Sequence, residues 1–325
     1  MFTKIFKSDY IFQFIFFIII SIIIWIKPFM SADVIYSPMN APLYDIAKWF
    51  LDDNPFFKII LSFLLLIGQS ILFKMLLSSN DLSPKNSILP SFLYVLLMSS
   101  FAGYQNIHPL LFANFFLIAA LQTILAVYSK PDSFEQVFNA TFFIALGSMF
   151  YFPVVFFILF IWLVFLVFSL LKWREWIISL LGFITPYFFL FSFYFLSNTF
   201  ENKISSYLMF FKKMSFNVSH FTISNFIFLG VLGLLFIFSF FSISSRLSEK
   251  SIFYRKKVIV LIMFLIIALL SLLFANVFFV YHLCLLFIPL SFLFSNYILQ
   301  IKKLIVSEVL YLIILGTWLF TFLGF

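Results

Sequence analysis

The sequence predicts an all-α integral membrane protein of about eleven transmembrane helices, within a range of about nine to twelve. Three observations predict it. Of the 325 residues, 64% are apolar and only 10% charged, too little charge to cover a soluble surface of that size. Apolar segments long enough to cross a bilayer, about 20 residues each, follow one another with short gaps. The lysines and arginines fall in alternate gaps, which is how loops on the cytoplasmic side are marked.

The first segment, 10–29, follows MFTKIFKSDY, whose lysines resemble the charged start of a signal peptide. Its apolar run is too long and no small-x-small cleavage site follows, so it reads as a retained first span. A long loop, 31–56, comes next. Within it Leu43, Ile46, Ala47, Phe50 and Leu51 fall on one helical face and Asp45, Lys48 and Asp52 on the other, the pattern of a short helix lying in the membrane interface. Further segments fall at 57–77, 89–103, 109–128, 137–151, 153–171 and 176–197, the third and fifth spans of the series being short. Tight turns at Tyr104–Pro109 and Tyr151-Phe152-Pro153 place proline where the next helix begins, a position where the missing N–H costs nothing. A second long loop, 198–221, contains ISSYLMFFKKM, which predicts a second interfacial helix. The last segments are 222–244, 258–280, 282–300 and 304–323. Pro186 and Pro289 fall inside predicted spans and are expected to kink them. With no internal repeat and no low-complexity linker, residues 1–325 form a single polytopic membrane domain.

Placing the N-terminus in the cytoplasm leaves 14 of the 20 basic residues inside, including all three arginines. Lys27, Lys48, Lys58, Lys203, Lys212 and Lys213 remain outside. This bias puts the C-terminus and both long loops on the outer side, and fits the inner membrane of a bacterium. The net charge of +8 is therefore a topology signal. No basic, aromatic-interleaved surface segment exists to bind nucleic acid. The single cysteine, Cys284, excludes intrachain disulfides and thiolate metal clusters.

No ionisable residue is expected at mid-membrane: Glu308 lies about one turn inside the cytoplasmic edge, and Lys74 is close enough to that edge to snorkel. Ion-coupled transport generally needs such a group. Walker A, G-x-G-x-x-G, H-E-x-x-H, G-x-S-x-G and C-x-x-C patterns are all absent, which leaves nucleotide-driven, standard hydrolase and standard metal chemistry without their residues. The amides within spans, Gln69, Asn114, Gln122, Asn139 and Asn276, read first as interhelical hydrogen bonding. His108, His220 and His282 all fall on the predicted outer side, and each alone reads first as an interfacial histidine. The turn Tyr104-Gln105-Asn106-Ile107-His108-Pro109, with Asn114 beyond it, is either hairpin capping or one wall of a pocket. Asp33, Asp45, Asp52 and Asp53 are either the solvated side of an interfacial helix or carboxylates poised at the water–lipid boundary. There they could act as a general base, or hold a divalent cation, beside a lipid-borne phosphate.

An Asp a few residues after the first span, followed by PLYDIAKWFLDDNPF leading into the second, resembles the start of polyprenyl-phosphate-sugar glycosyltransferases of the GT-C class. The likeness extends over 10–200 in layout and over Asp33 to Phe56 in residues, leaving the C-terminal helices of 222–325 outside it. It implies chemistry at the outer face with Asp33 as base and Asp45 as a secondary acid. On that footing His108, Asn106, Asn114 and His282 would contact substrate, and Lys212 and Lys213 would attract the lipid phosphate. The chain departs from the class in three ways: Val34 stands where a second acid is expected, the second outer loop has no clear acid, and no large outer domain follows the spans. A closer likeness is carried by LPSFLYVLLMSS (89–100), HPLLFANFFLIAAL (108–121), FNATFFIALGSMFYFP (138–153) and KWREWIISLLGFITPYFF (172–189). These resemble an uncharacterised family of multi-pass inner-membrane proteins of Bacteroidota, which implies location and topology without an activity. Two functions follow as expectations. One is a transferase drawing a sugar from a polyprenyl-phosphate donor. The other is a non-catalytic membrane subunit that docks with envelope proteins in an assembly or secretion complex, or that moves a lipid-linked precursor.

Overall fold

The computed structural model describes residues 11–31, 41–51, 54–84, 87–129, 133–170, 172–201, 203–205, 223–274, 279–301 and 304–323, among which there is no strand. Their α-helices are α1 (Ile11–Ile24), α2 (Ile26–Ser31), α3 (Pro42–Phe50), α4 (Pro55–Ser79), α5 (Leu89–Met98), α6 (Pro109–Ala126) and α7 (Phe134–Phe150). They continue with α8 (Phe157–Phe168), α9 (Trp173–Leu196), α10 (Ile223–Arg246), α11 (Ile252–Ser271), α12 (Phe279–His282), α13 (Phe287–Gln300) and α14 (Leu304–Leu323). A helix falls on each predicted segment. Five of them, built around α4, α6, α9, α10 and α11, are long and apolar enough to cross a membrane. Most of the others are shorter, so the described helices make this a membrane protein without fixing how many times the chain crosses.

Local chemistry sets the boundaries. Proline opens α3, α4, α5 and α6, where a missing amide donor is harmless. Asn54 caps α4, its side-chain oxygen accepting the Phe56 and Phe57 amides at 3.0 and 3.4 Å. Glu175 closes the start of α9 by accepting the Lys172 amide at 3.1 Å and the Ser133 hydroxyl at 3.2 Å. Ser169 ends α8 in the left-handed region, at φ 61°. Pro186 lies inside α9, which continues on both sides of it. Pro289, expected inside a span, is instead the third residue of α13, so it starts a helix where a kink was predicted.

The centre of the fold is a pair of short helices. Every residue of α5 is buried, as are those of α13 from Phe287 through Asn296, and the two pack on each other. A helix apolar on all sides has no polar face to offer solvent and belongs inside. Longer helices enclose them: α4 packs on α5 and α6 on α4, while α10 and α11 flank α13. Outside this core α7 packs on α6, and α9 packs on α7. The α7–α9 contact is close because position 182 is glycine, whose missing side chain leaves room for the Phe138 backbone and Thr141. α9 is consequently peripheral, with Phe188 and Phe195 63% and 72% exposed, as lipid-facing residues would be.

The interfacial helix predicted in the first loop is α3. Of its apolar face Leu51 is buried and Ile46 is exposed, and Tyr44 is buried beside them. The Tyr44 hydroxyl donates to the Ile107 carbonyl at 3.3 Å, which anchors the helix to the turn before α6. The helix predicted within 198–221 lies almost wholly outside the described residues.

Candidate functional site

The turn between α5 and α6 is the most polar part of the interior. Ser99, Ser100, Gln105, Asn106 and His108 are all at least 95% buried. A non-helical stretch can lie inside an apolar bundle only if its backbone and side chains find partners there. Indole groups supply some. Trp25 donates to the Ser99 hydroxyl at 2.9 Å, and Trp318 donates to the Ser99 carbonyl at 3.0 Å. Gln105 reaches the Ile24 carbonyl at 3.1 Å, so this turn ties α1 and α14 to the core.

Asn106 and His108 both have extended backbone, with φ −134° and −144°. Residues two apart in an extended chain project to the same side. The His108 ring lies against Tyr281 and Tyr104, with centroids 5.3 and 6.1 Å away. Burial pushes its imidazole down to about 3, partly opposed by the nearby Tyr104 carbonyl. That carbonyl makes no bond of ordinary hydrogen-bonding geometry with either ring nitrogen.

His282 is fully buried and, unlike His108, fully partnered. Its Nε2 faces the Ala268 carbonyl at 3.3 Å and the Ser271 hydroxyl at 3.0 Å. A carbonyl only accepts, so Nε2 carries the proton and Nδ1 accepts from the Tyr151 hydroxyl at 2.8 Å. Ser271 in turn donates to Ala268 at 2.9 Å. The chain Tyr151–His282–Ser271 ends at a carbonyl that cannot pass a proton on. It is a clamp joining the end of α7 to α11 and α12.

Three of the five span amides, Gln69, Asn114 and Gln122, behave as interhelical ties, and Asn276 lies outside the described residues. Gln69 donates to the Leu111 carbonyl at 2.7 Å and accepts the Tyr94 hydroxyl at 2.8 Å. Asn114 donates to the Cys284 carbonyl at 3.2 Å and to the Met98 sulfur at 3.7 Å. Gln122 donates to the Ser79 hydroxyl at 3.2 Å. None of these lines a hydrophilic groove. The structure thus sets His108 against Tyr104 and Tyr281, Asn114 against Cys284 and His282 against Tyr151, and sequence reasoning gave Tyr151, Tyr281 and Cys284 no part in a site. Only the tight turns at Tyr104 and Tyr151 hinted at them.

Asp45 stands apart on α3. Its carboxylate is shared by Lys48 and Lys203, each at 3.9 Å, and Lys48 also covers the Tyr44 ring at 4.6 Å. Partial burial lowers the Lys48 ammonium from its usual value, and Asp45 acts the other way. A carboxylate held between two ammonium groups is a tether between α3 and the segment after α9. Asp33, Asp52, Asp53, His220, Lys212 and Lys213 lie outside the described residues. Among the described residues no three of His, Cys, Asp and Glu are grouped to hold a metal ion.

An open groove of about 770 Å³ runs along α9. Its walls include Phe152 and Val155 from the turn after α7, and Phe183, Tyr187, Phe191 and Phe195 from α9. Tyr187 shares its hydroxyl with Ser148 at 2.6 Å, which leaves the wall almost purely apolar. At the same end of α9, Leu190 and Tyr194 pack with Met149 under Leu43 of α3. Tyr187, which lines the groove, also packs on this small cluster.

No curated protein and no solved structure matches this chain. A family profile does match, over residues 43–324, from the surface helix through nearly the end of α14. The chain belongs to that family, the family of unknown function DUF6427.

Proposed function

We propose that this chain is a non-catalytic protein of the bacterial inner membrane that engages a lipid-linked precursor at the outer face. In this reading all eleven segments cross, the N-terminus is cytoplasmic and the C-terminus outside, as the distribution of lysine and arginine favours. The single observation that supports it best is the groove: an apolar channel on the exposed side of α9, sharing Tyr187 with the contact under Leu43 of α3, the helix that carries Lys48. Such a surface suits an amphiphile whose hydrocarbon lies along α9 and whose anionic phosphate meets Lys48 and Lys203. An isoprenoid or acyl chain gains from burial along the aromatic wall, and a phosphate gains from ammonium groups at a membrane surface. The described acid on the α3 side, Asp45, is occupied by both cations, which weakens the transferase alternative.

The test is photolabelling in proteoliposomes with a diazirine-bearing prenyl phosphate. Labels are expected on α9 between Phe183 and Leu196, with labelling diminished in Ser192→Trp, whose indole fills the groove. Labels spread evenly over the exposed faces of α9, α10 and α14 would overturn the reading. A transferase remains the second reading because Asp33 follows α2 by two positions. If lipid-linked sugar is consumed by wild-type membranes and spared by Asp33→Asn, the protein is an enzyme. Groove labelling with no consumption supports a carrier or a docking subunit.

A further inference from the structure

We propose that the buried turn leading into α6 binds ordered water, with Asn106, His108 and Asn114 as its ligands. These side chains are 4%, 1% and 0% exposed. The Oδ1 atoms of both asparagines and both ring nitrogens of His108 have no hydrogen-bond partner in the protein. Native interiors rarely leave such groups unpaired, and each one found calls for an occupant or a role.

His108 and Asn114 are both gathered about Tyr104, and Asn106 precedes His108 by two positions on extended backbone. His108 lies on Tyr104 and Tyr281. Asn114 holds the carbonyl of Cys284, whose thiol lies beside the Tyr104 side chain. α6 opens at the same place with no side-chain cap: the His108 carbonyl accepts the Leu111 amide at 3.1 Å, but its imidazole makes no hydrogen bond to the first turn, whose remaining amides are donors.

The unmet groups decide the chemistry of the occupant. Two amide oxygens and one imidazole nitrogen accept, while the other imidazole nitrogen of the neutral ring and the helix amides donate. A cation would meet the oxygens and be repelled by the N–H groups. An anion would meet the reverse. No described carboxylate stands in this cluster to balance a buried cation. Water both donates and accepts, carries no charge, and typically makes about three hydrogen bonds when buried. The proposal concerns this turn alone and is independent of the lipid groove.

Radiolytic hydroxyl-radical labelling of the full chain in native membranes tests it, because bound water generates the radical in place. Tyr104, Met98 and Cys284 should be modified despite their burial. Tyr311 and Met149, which are 1% and 3% exposed and lie outside this cluster, should stay unreactive. In His108→Phe, and separately in the milder Asn106→Ala, modification of Tyr104 should fall toward the level of Tyr311. Circular dichroism identifies a variant that has failed to fold, in which case the other variant decides. The proposal is overturned if wild-type Tyr104, Met98 and Cys284 are as inert as Tyr311. It is also overturned if both folded variants label as wild type does.

Discussion

Replacing Gly182 by alanine would build a Cβ atom 2.6 Å from the carbonyl oxygen of Phe138 and 3.1 Å from its Cα. Both are backbone atoms of α7, so relief requires the whole helix to move. Thr141, also in the way, cannot swing aside freely, because its hydroxyl already bonds the carbonyls of Val137 and Phe138 at 3.0 Å each. Overpacking of this kind costs about 1–3 kcal/mol. Alanine returns about 1 kcal/mol in helix propensity, leaving a net loss of up to about 2 kcal/mol. Gly230 on α10 is the control, since a Cβ there meets nothing within 4 Å and only the propensity gain remains. Thermal unfolding in detergent should place Gly182→Ala below wild type and Gly230→Ala at or above it. Since α9 also forms the groove wall, the Gly182 variant should lose prenyl-phosphate labelling too. A Gly182→Ala protein as stable as the Gly230 variant would refute the close α7–α9 approach and the groove built on it.

Tyr151→Phe removes the donor to His282 and leaves a buried nitrogen unpaired; a loss of about 1–3 kcal/mol is expected in the same unfolding assay. For His108 the sign follows from its lowered affinity for protons. Below its ordinary value of 6.5 the unfolded chain takes up a proton that the folded chain refuses until pH nears 3. This contribution is therefore complete above that upper limit and declines as pH falls, by at most about 1.4 kcal/mol per pH unit. Denaturation midpoints measured across the window should show a shallower decline in His108→Phe. Ser169→Gly relieves a left-handed backbone at an exposed position. Strain relief of about 1–2 kcal/mol exceeds the added freedom of the unfolded chain, about 0.4–1 kcal/mol, so a modest rise in unfolding temperature is expected.

The helices were legible because hydropathy and proline placement act locally, and they carry α4, α6, α9, α10 and α11 directly. The rank of α5 and α13 was not legible. Both read as weak or ordinary spans, yet they are the covered centre, a fact set by partners far away in sequence. At α3 the amphipathic pattern gave the helix and not its anchor, since the Tyr44–Ile107 bond joins residues 63 apart. For the site, the sequence pointed to His108, Asn106, Asn114 and His282 by residue type alone. It had no way to show that His282 is saturated while His108 is not. The groove was invisible for a plainer reason: phenylalanine is so abundant, with 56 copies, that a patch built from it carries no compositional mark.

The burial of α5 bears on how the chain is made. Asn296 near the end of α13 bonds the carbonyl of Leu82, just ahead of α5, across 214 residues. A ribosome delivers α5 long before that partner exists, and a helix of 10 residues is too short to be stable alone across a bilayer. Until the last quarter is synthesised, α5 must shelter with α4 and α6 as a provisional hairpin. Chains stopped before Phe287 would then carry an unfinished centre into the membrane and be natural targets for quality-control proteolysis.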